Sequence, residues 1–146
     1  MNKIIEEVLL IASKTCKNKG ITIYKTYKTG NYSFEGIEDQ IKQVILNIIK
    51  NSIDSILEDE GKITISMVQT SKNIMLEIQD TGSGIDEANL SFIFDPFFTT
   101  KGKEGTGFGL SVSYGIIKKH SGDILIESEL GIGCTVTLVI PIKREI

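Results

Sequence analysis

The sequence predicts an α+β fold, a two-layer α/β sandwich in which a mixed, mostly antiparallel sheet carries helices on one face. Two patterns lead to this prediction. Apolar residues recur at helical spacing in three segments, and short runs rich in β-branched residues lie between them. With 146 residues, 40% of them hydrophobic, the chain is long enough for one domain with its own core.

The first part of the chain predicts a helix followed by a hairpin. The helix lies within residues 1–18, and Gly20 ends its pattern. Two β-rich runs follow at 21–24 and 32–34, and the turn dipeptide Gly-Asn at 30–31 predicts that they pair with each other.

A long amphipathic helix is predicted at 39–57, where isoleucine and valine side chains trace one continuous face until Gly61 stops the pattern. The alternating runs 63–68 and 74–78 predict a second antiparallel pair of strands. This pair would deliver Asp80 to the edge of the sheet.

The last part of the chain begins with the apolar cluster 92–98. A polar, glycine-rich stretch follows at 99–106, which we expect to form a mobile lid. A helix is then predicted at 110–119, and strands at 123–127 and 135–140 complete the sheet.

Charge and composition exclude several classes of function. The formal net charge is -3 and the pI about 5.2, so we expect no nucleic-acid partner. The apolar runs are strand-sized and no signal-peptide core is present, which predicts a cytoplasmic domain that is not inserted in a membrane. Cys16 and Cys134 lie far apart without a paired motif, so we interpret both as packing residues.

Two glycine clusters predict one bound nucleotide. In the first, Asp-Thr-Gly-Ser-Gly at 80–84, the carboxylate can accept a hydrogen bond from an exocyclic amino group, and the glycines let a flat ring lie against bare backbone. In the second, at 105–110, glycines lead into a helix whose first N–H groups would point at phosphate. Neither a P-loop nor a Rossmann fingerprint occurs, so another nucleotide fold is required.

Asn47 and Asn51 predict a metal site on the long helix. They are four residues apart and therefore share one side of a helix that is otherwise rich in isoleucine. An amide oxygen is a hard, neutral ligand suited to Mg²⁺, which keeps water and phosphate oxygens in its shell. We therefore assign Asn51 to the metal. The alternative is that both side chains hydrogen-bond neighbouring backbone.

Five motifs follow one another along the chain. They are Gln-Val-Ile-Leu-Asn-Ile-Ile-Lys-Asn at 43–51, Asp-x-Gly-x-Gly at 80–84, Phe-Asp-Pro-Phe-Phe-Thr-Thr-Lys at 94–101, Gly-Thr-Gly-Phe-Gly-Leu at 105–110 and Gly-x-Gly-Cys-Thr at 131–135. In this order they resemble the N, G1, F, G2 and G3 boxes of bacterial sensor histidine kinases of the nitrogen-regulation and sporulation type. The resemblance implies the Bergerat ATP-binding fold, which is shared with type II topoisomerases, Hsp90 chaperones, mismatch-repair ATPases and anti-sigma serine kinases.

The resemblance implies a base pocket and a metal ligand. Asp80 would bind the adenine amino group of ATP, with Gly82 and Gly84 shaping the pocket and Thr135 assisting from the last motif. Asn51 would ligate Mg²⁺.

The resemblance also implies where the phosphates lie. Asn47 would lie beside them, and Lys101 would be the cation near the terminal phosphate, the alternative being an ordinary solvated lid lysine. The other phosphate-binding residues would be Gly105, Thr106, Gly107, Phe108, Gly109 and Leu110. Phe94, Phe97 and Phe98 would anchor the hinge of the lid by burying aromatic area.

Asn47 distinguishes members of this superfamily. Gyrase, Hsp90 and the anti-sigma serine kinases carry a glutamate at the matching position, where a carboxylate can act as general base. An amide cannot take that proton, whereas a neutral imidazole is already a nucleophile. The resemblance therefore implies transfer of the γ-phosphoryl group to histidine in two-component signalling. The alternatives are an ATP-gated protein-interaction module, an anti-sigma-type serine kinase and a dimeric ATPase clamp.

The histidine that such kinases phosphorylate lies on a separate dimerisation domain. The one histidine of this chain, His120, is expected to be a cation that complements the negative end of the helix at 110–119. The resemblance thus implies a linker helix at 1–18, following a dimerisation and phosphoacceptor domain absent from this chain, and a catalytic ATP-binding domain at 19–146. Its partners would be that dimerisation domain and a downstream response regulator. Whether the parent protein is anchored in a membrane stays open.

Overall fold

The computed structural model describes residues 1–27, 30–57, 60–95 and 109–143. Their helices are α1 (Asn2–Asn18), α2 (Glu38–Ser55), α3 (Glu87–Leu90) and α4 (Gly109–Lys119). Their strands are β1 (Thr22–Lys25), β2 (Lys62–Gln69), β3 (Asn73–Asp80), β4 (Asp123–Glu129) and β5 (Gly133–Pro141). No helix in these described segments is long and apolar enough to cross a membrane.

The strands form one five-stranded mixed sheet in the order β1-β2-β3-β5-β4. β1 lies parallel to β2, and the other neighbouring pairs are antiparallel. Along β3, Ile74, Leu76 and Ile78 are buried while the residues between them are largely exposed, so helices cover one face of the sheet. The predicted mixed, mostly antiparallel sheet with helices on one face is confirmed.

The core lies between the helix layer and the covered face of the sheet. Its large side chains with almost no exposed surface are Ile5, Ile41, Ile45, Ile48, Ile49, Ile63, Ile65, Ile74, Leu76, Ile78, Ile117 and Leu138. The isoleucine and valine face of α2 predicted from the sequence is the buried face. Because this face fixes α2 against the sheet, residues on its polar side hold set positions relative to the strand ends.

The predicted hairpin between 21–24 and 32–34 is wrong. β1 pairs in parallel with β2 instead, and α2 supplies the crossover that a parallel pair requires. Residues 32–34 belong to no strand, and the half-buried rings of Tyr32 and Phe34 pack on the core. Helix α3 was not foreseen, because four residues are too few to show a helical period.

Helix α1 shares the core of the rest of the fold. It packs on α2 and buries apolar side chains in the same cluster. Two ion pairs join the helices, Lys42 Nζ to Glu7 Oε2 at 2.7 Å and Lys3 Nζ to Glu38 Oε1 at 3.2 Å. The role of residues 1–18 as a linker from a dimerisation domain stays a prediction.

Candidate functional site

Asp80 is the last residue of β3 and continues its buried alternation, so its side chain lies on the helix side of the sheet. The residue is 5% exposed. Its Oδ1 accepts a hydrogen bond from the Gly82 N–H at 2.9 Å, and the Ser55 hydroxyl lies 3.4 Å from the same oxygen. Both of these contacts are to Oδ1.

The environment of Asp80 changes its ionisation. Burial raises the pKa of this carboxyl above its ordinary value, because desolvation disfavours the charged form. Hydrogen bonds from the Gly82 backbone, the Ser52 side chain, the Cys134 backbone and the Ser55 side chain act in the opposite direction. A donor on a ligand would add to this set, so ligand binding and ionisation of Asp80 should favour each other.

The loop after β3 passes close to the end of α2 and to β4. A Cβ on Gly82 would collide with Ser55, and one on Gly84 would collide with the carbonyl oxygen of Glu129. Gly84 also has a φ of +71°, which L side chains rarely adopt. The Ser83 N–H donates to the Ser55 carbonyl at 2.9 Å and holds the loop in place. Glycine is therefore required here by the protein's own backbone, whatever else contacts the loop.

The turn between β4 and β5 closes the other side of the loop. The Gly131 N–H donates to the Ser83 carbonyl at 2.7 Å. A Cβ on Gly133 would collide with the carbonyl oxygen of Asp80. These two glycines bring the last sequence motif against the first glycine cluster, as expected if both line one site.

The strand register places Cys134 beside Asp80. Cys134 is the cross-strand partner of Asp80, whereas Thr135 is the partner of Gln79 and alternates to the face that the helices leave open. Burial, and then the charge of Asp80, raise the pKa of the Cys134 thiol to about 11, so the thiol is neutral. The structure thus places Thr135 on the opposite face of the sheet from Asp80, and the assisting role of Thr135 in the base pocket stays a prediction. Sequence reasoning treated Cys134 only as a packing residue, because its place beside Asp80 depends on the register between β5 and β3.

Asn47, Asn51 and Ser55 form one polar stripe along α2. Their spacing of four residues places them one after another on one side of the helix over about 12 Å. Both asparagines are half-buried. The stripe ends where Ser55 meets Asp80, so the predicted metal residue lies about one helical turn from the contact with the predicted base residue.

His120 is not the helix-capping cation expected from the sequence. It is 1% exposed, its Nδ1 lies 2.8 Å from the Ile116 carbonyl oxygen, and its Nε2 accepts a hydrogen bond from the Ile37 N–H at 3.0 Å. A ring that accepts at Nε2 and donates to the carbonyl carries its proton on Nδ1 and is neutral. Because both nitrogens are engaged in the interior, His120 is not available as a phosphoryl acceptor in this fold.

Helix α4 runs antiparallel to α2. The two helices pack together, and the contact of His120 with Ile37 joins the C-terminal end of α4 to the N-terminal end of α2. Gly109 lies 11 residues before His120, and Asn47 lies 10 residues after Ile37, so each helix covers roughly 15 Å from that contact. The first turn of α4, which begins with Gly109 and Leu110, therefore lies about as far from that contact as Asn47 does.

Several predicted site residues lie outside the described residues. They are Lys101, Gly105, Thr106, Gly107 and Phe108, together with Phe97 and Phe98. The lid predicted at 99–106 lies outside them as well. Of the phenylalanines predicted at its hinge, Phe94 is half-buried, and its ring centroid lies 5.0 Å from that of Tyr114 on α4. The segment that precedes the predicted lid thus packs on α4.

Comparison with known sequences identifies a family for most of the chain. Residues 36–144 match the model of the family described as histidine kinase-, DNA gyrase B- and HSP90-like ATPase. The chain is 36% identical over 146 residues to sporulation kinase C of Bacillus subtilis (strain 168), which covers 99% of this chain and 34% of that protein. The chain therefore spans about a third of the length of this relative.

Solved structures share this fold. The nucleotide-free catalytic domain of histidine kinase ThkA superposes with a TM-score of 0.87 at 31% identity, over 97% of this chain and 94% of that one. Histidine kinase ThkA in complex with response regulator protein TrrA gives a TM-score of 0.83 at 27% identity, over 97% of this chain and 40% of that one.

Proposed function

Because the chain belongs to the family of histidine kinase-, DNA gyrase B- and HSP90-like ATPases, we propose that it binds ATP with Mg²⁺ and phosphorylates histidine. In this reaction the γ-phosphoryl group passes to a histidine on a separate dimerisation domain. It then passes to an aspartate of a response regulator, the class of protein with which ThkA was solved.

One observation carries the proposal: a buried carboxylate, Asp80, stands at the end of a polar stripe that leads towards the first turn of a helix. Adenine requires an acceptor for its amino group, Mg²⁺ requires oxygen ligands, and the phosphates require N–H donors. Asp80, Asn51 and the start of α4 would supply these groups in the order in which base, metal and phosphates occur in the nucleotide complex.

The donor set suits Mg²⁺. Asn47 and Asn51 are half-buried and carry amide oxygens, which are hard, neutral ligands that would leave the rest of the shell to water and phosphate oxygens. Asn51 would hold the ion, and Asn47 would lie beside the phosphates. When bound, Mg²⁺ would neutralise negative charge on the phosphates.

The residues of this chain would act by positioning ATP. An imidazole nitrogen of the partner bonds to the γ-phosphorus while the bond from that phosphorus to the bridging oxygen breaks, and ADP leaves with the electron pair. The attacking nitrogen carries a free lone pair, and the proton on the other ring nitrogen is released to solvent afterwards. The amide of Asn47 therefore suffices where a water-activating enzyme needs a carboxylate. N–H groups at the start of α4 would keep the phosphates in line with the incoming ring.

The phosphoryl acceptor would come from another domain. The one histidine of the chain is His120, and both of its nitrogens have partners in the interior. Residues 1–18 would connect that acceptor domain to the catalytic ATP-binding domain at 19–146, and the reaction would take place in the cytoplasm.

The test combines the chain with radiolabelled ATP, Mg²⁺ and the histidine-bearing dimerisation domain of its parent kinase. Label on the partner that is labile in acid and stable in alkali indicates phosphohistidine and supports the proposal. Bound ATP without labelled partner would refute it in favour of an ATP-gated interaction module. Acid-stable label on serine would indicate a serine kinase, and steady phosphate release by the chain alone would indicate an ATPase clamp.

Two asparagine variants sharpen this test. Asn51→Ala should abolish labelling of the partner, because it removes the proposed metal ligand and with it Mg²⁺-dependent phosphate binding. Asn18→Ala, at the exposed end of α1, is the matched control and should label the partner as the wild type does.

A further inference from the structure

A buried imidazole joins the ends of α2 and α4 that lie farthest from the candidate site, and we propose that His120 is a positioning residue for nucleotide phosphates. His120 would set the position of α4 along α2, and thereby the spacing between Asn51 and the first turn of α4. This inference rests on the proposed function, since that spacing matters only if the phosphates of ATP bind there.

The ring of His120 contacts backbone groups at the ends of two helices. Ile37 is the N-cap residue of α2 and has no side-chain cap of its own, and its N–H donates to Nε2 at 3.0 Å. The Ile116 carbonyl belongs to the last turn of α4 and lies 2.8 Å from Nδ1. One neutral tautomer makes both contacts, so the ring acts as a fixed spacer between the two helices.

The surroundings leave the ring little freedom to move. A Cβ added to Gly36 would lie 2.7 Å from Cδ2 of His120 and 2.9 Å from Cε2 of Phe34. The segment that enters α2 therefore lies directly against the imidazole. Any displacement of the ring would have to move the start of α2 or the end of α4.

Of the buried side chains described on α4, His120 is the one with hydrogen bonds at the ends of both helices. Ser113, Ile117 and His120 lie on one buried side of the helix. Ile117 is apolar, and in the described part of the chain the Ser113 hydroxyl has no hydrogen-bond partner. The hydrogen bonds of His120 are directional and add a polar link between α4 and α2 to the apolar packing of Ile117. A shift at this contact would be transmitted along α4 to its first turn, while α2 stays held by its isoleucine face.

Two substitutions test the contacts of the two ring nitrogens separately. In His120→Asn, the amide can still donate near the place of Nδ1, but Ile37 loses its acceptor. In His120→Gln, the longer side chain can carry an amide oxygen to the place of Nε2 and restore that acceptor. We expect His120→Asn to weaken Mg²⁺-ATP binding by about three- to tenfold, as for the loss of one hydrogen bond, and His120→Gln to recover most of the affinity.

The experiment measures ATP and adenosine binding side by side, by calorimetry and by NMR titration. Adenosine has no phosphates and would use only the base pocket at Asp80, so its affinity should be unchanged in His120→Asn. Ile74→Val, in the sheet, is the control for a modest loss of stability and should alter neither affinity. Unchanged ATP affinity in His120→Asn, or a parallel loss of ATP and adenosine binding, would overturn the positioning role.

A second variant covers the case in which His120→Asn does not fold. In Gly36→Ala, the added Cβ would collide with the same ring from the segment that enters α2. This variant should also bind ATP more weakly, with unchanged affinity for adenosine. Unaltered ATP affinity in Gly36→Ala would overturn the inference. Failure of the wild-type chain to bind Mg²⁺-ATP would instead refute the proposed function, so the two failures are distinguishable.

Discussion

The hydroxyl of Ser55 lies 3.4 Å from Oδ1 of Asp80, so helix α2 ends at the carboxylate that terminates β3. The backbone carbonyl of Ser55 also accepts a hydrogen bond from the Ser83 N–H at 2.9 Å. One residue thus holds both the buried carboxylate and the loop that follows it. Changes at these positions should act on the base pocket and on the polar stripe of α2 together.

Asp80→Asn should weaken ATP binding by roughly ten- to a hundredfold. The amide keeps the size of the side chain but removes its charge and one of its two acceptor oxygens, and a charge-assisted hydrogen bond is worth about 1.5–3 kcal/mol. Calorimetric titration with Mg²⁺-ATP measures the change. Asp86→Asn is the matched control, because an asparagine can still cap α3, and it should bind ATP like the wild type. Equal affinity in Asp80→Asn would remove this residue from the base pocket.

The ionisation of Asp80 should make the stability of the nucleotide-free domain depend on pH. Burial raises its pKa in the folded state above the ordinary value of 3.8, so the folded chain holds this proton more tightly than the unfolded chain does. The resulting contribution to the free energy of unfolding is complete below pH 3.8 and is lost as the pH rises through the raised folded pKa.

Urea unfolding of the wild type and of Asp80→Asn, at pH values from about 3 to about 7, isolates this contribution. The free energy of unfolding of the wild type minus that of the variant should decrease with rising pH and then level off. Glu6 and Asp123 act in the opposite direction, because hydrogen bonds from Lys25 and Lys118 lower their pKa values, but both are present in the two proteins and cancel. A difference that grew with pH would contradict the raised pKa of Asp80.

Gly82→Ala should lower the free energy of unfolding by about 1–3 kcal/mol, because the added Cβ collides with Ser55 at the end of α2. Displacement of the loop should weaken ATP binding as well. Gly115→Ala is the control. Gly115 lies on α4, and a Cβ added there would have open space around it, with nothing within 4 Å. The higher helix propensity of alanine should stabilise the domain by up to about 1 kcal/mol. Thermal unfolding with and without ATP compares the two. Wild-type stability in Gly82→Ala would show that the loop tolerates a side chain there.

Long elements of the fold were predictable because burial imposes a period on the sequence. The isoleucine face of α2 and the alternation of β3 both appear in the structure as expected. Residues 32–34 misled the prediction, since aromatic side chains that pack from an irregular segment have the same local pattern as a strand. The pairing of β1 with β2 is a long-range choice that no local pattern contains.

The candidate site was predictable where it depended on one segment. Asp80 follows from its place at the end of an alternating strand. Cys134, and not Thr135, lies beside Asp80 because of the register between β5 and β3, and one strand's sequence does not contain that register. The neutral state of His120 depends on an N–H donor at Ile37, 83 residues away in sequence.

Asn47 provides a test of why this chain would phosphorylate histidine rather than hydrolyse ATP. It is half-buried and lies about as far from the contact of His120 with Ile37 as the first turn of α4 does, where the phosphates are proposed to bind. Asn47→Glu would introduce a carboxylate that can take a proton from an attacking water, so we expect phosphate release by the chain alone to rise by at least about tenfold. Asn47→Gln has the same length without the charge and should show no such gain. A coupled phosphate-release assay compares the two variants with the wild type. Equal rates in the glutamate and glutamine variants would show that residue 47 does not face the γ-phosphate, and that its amide is not what prevents hydrolysis.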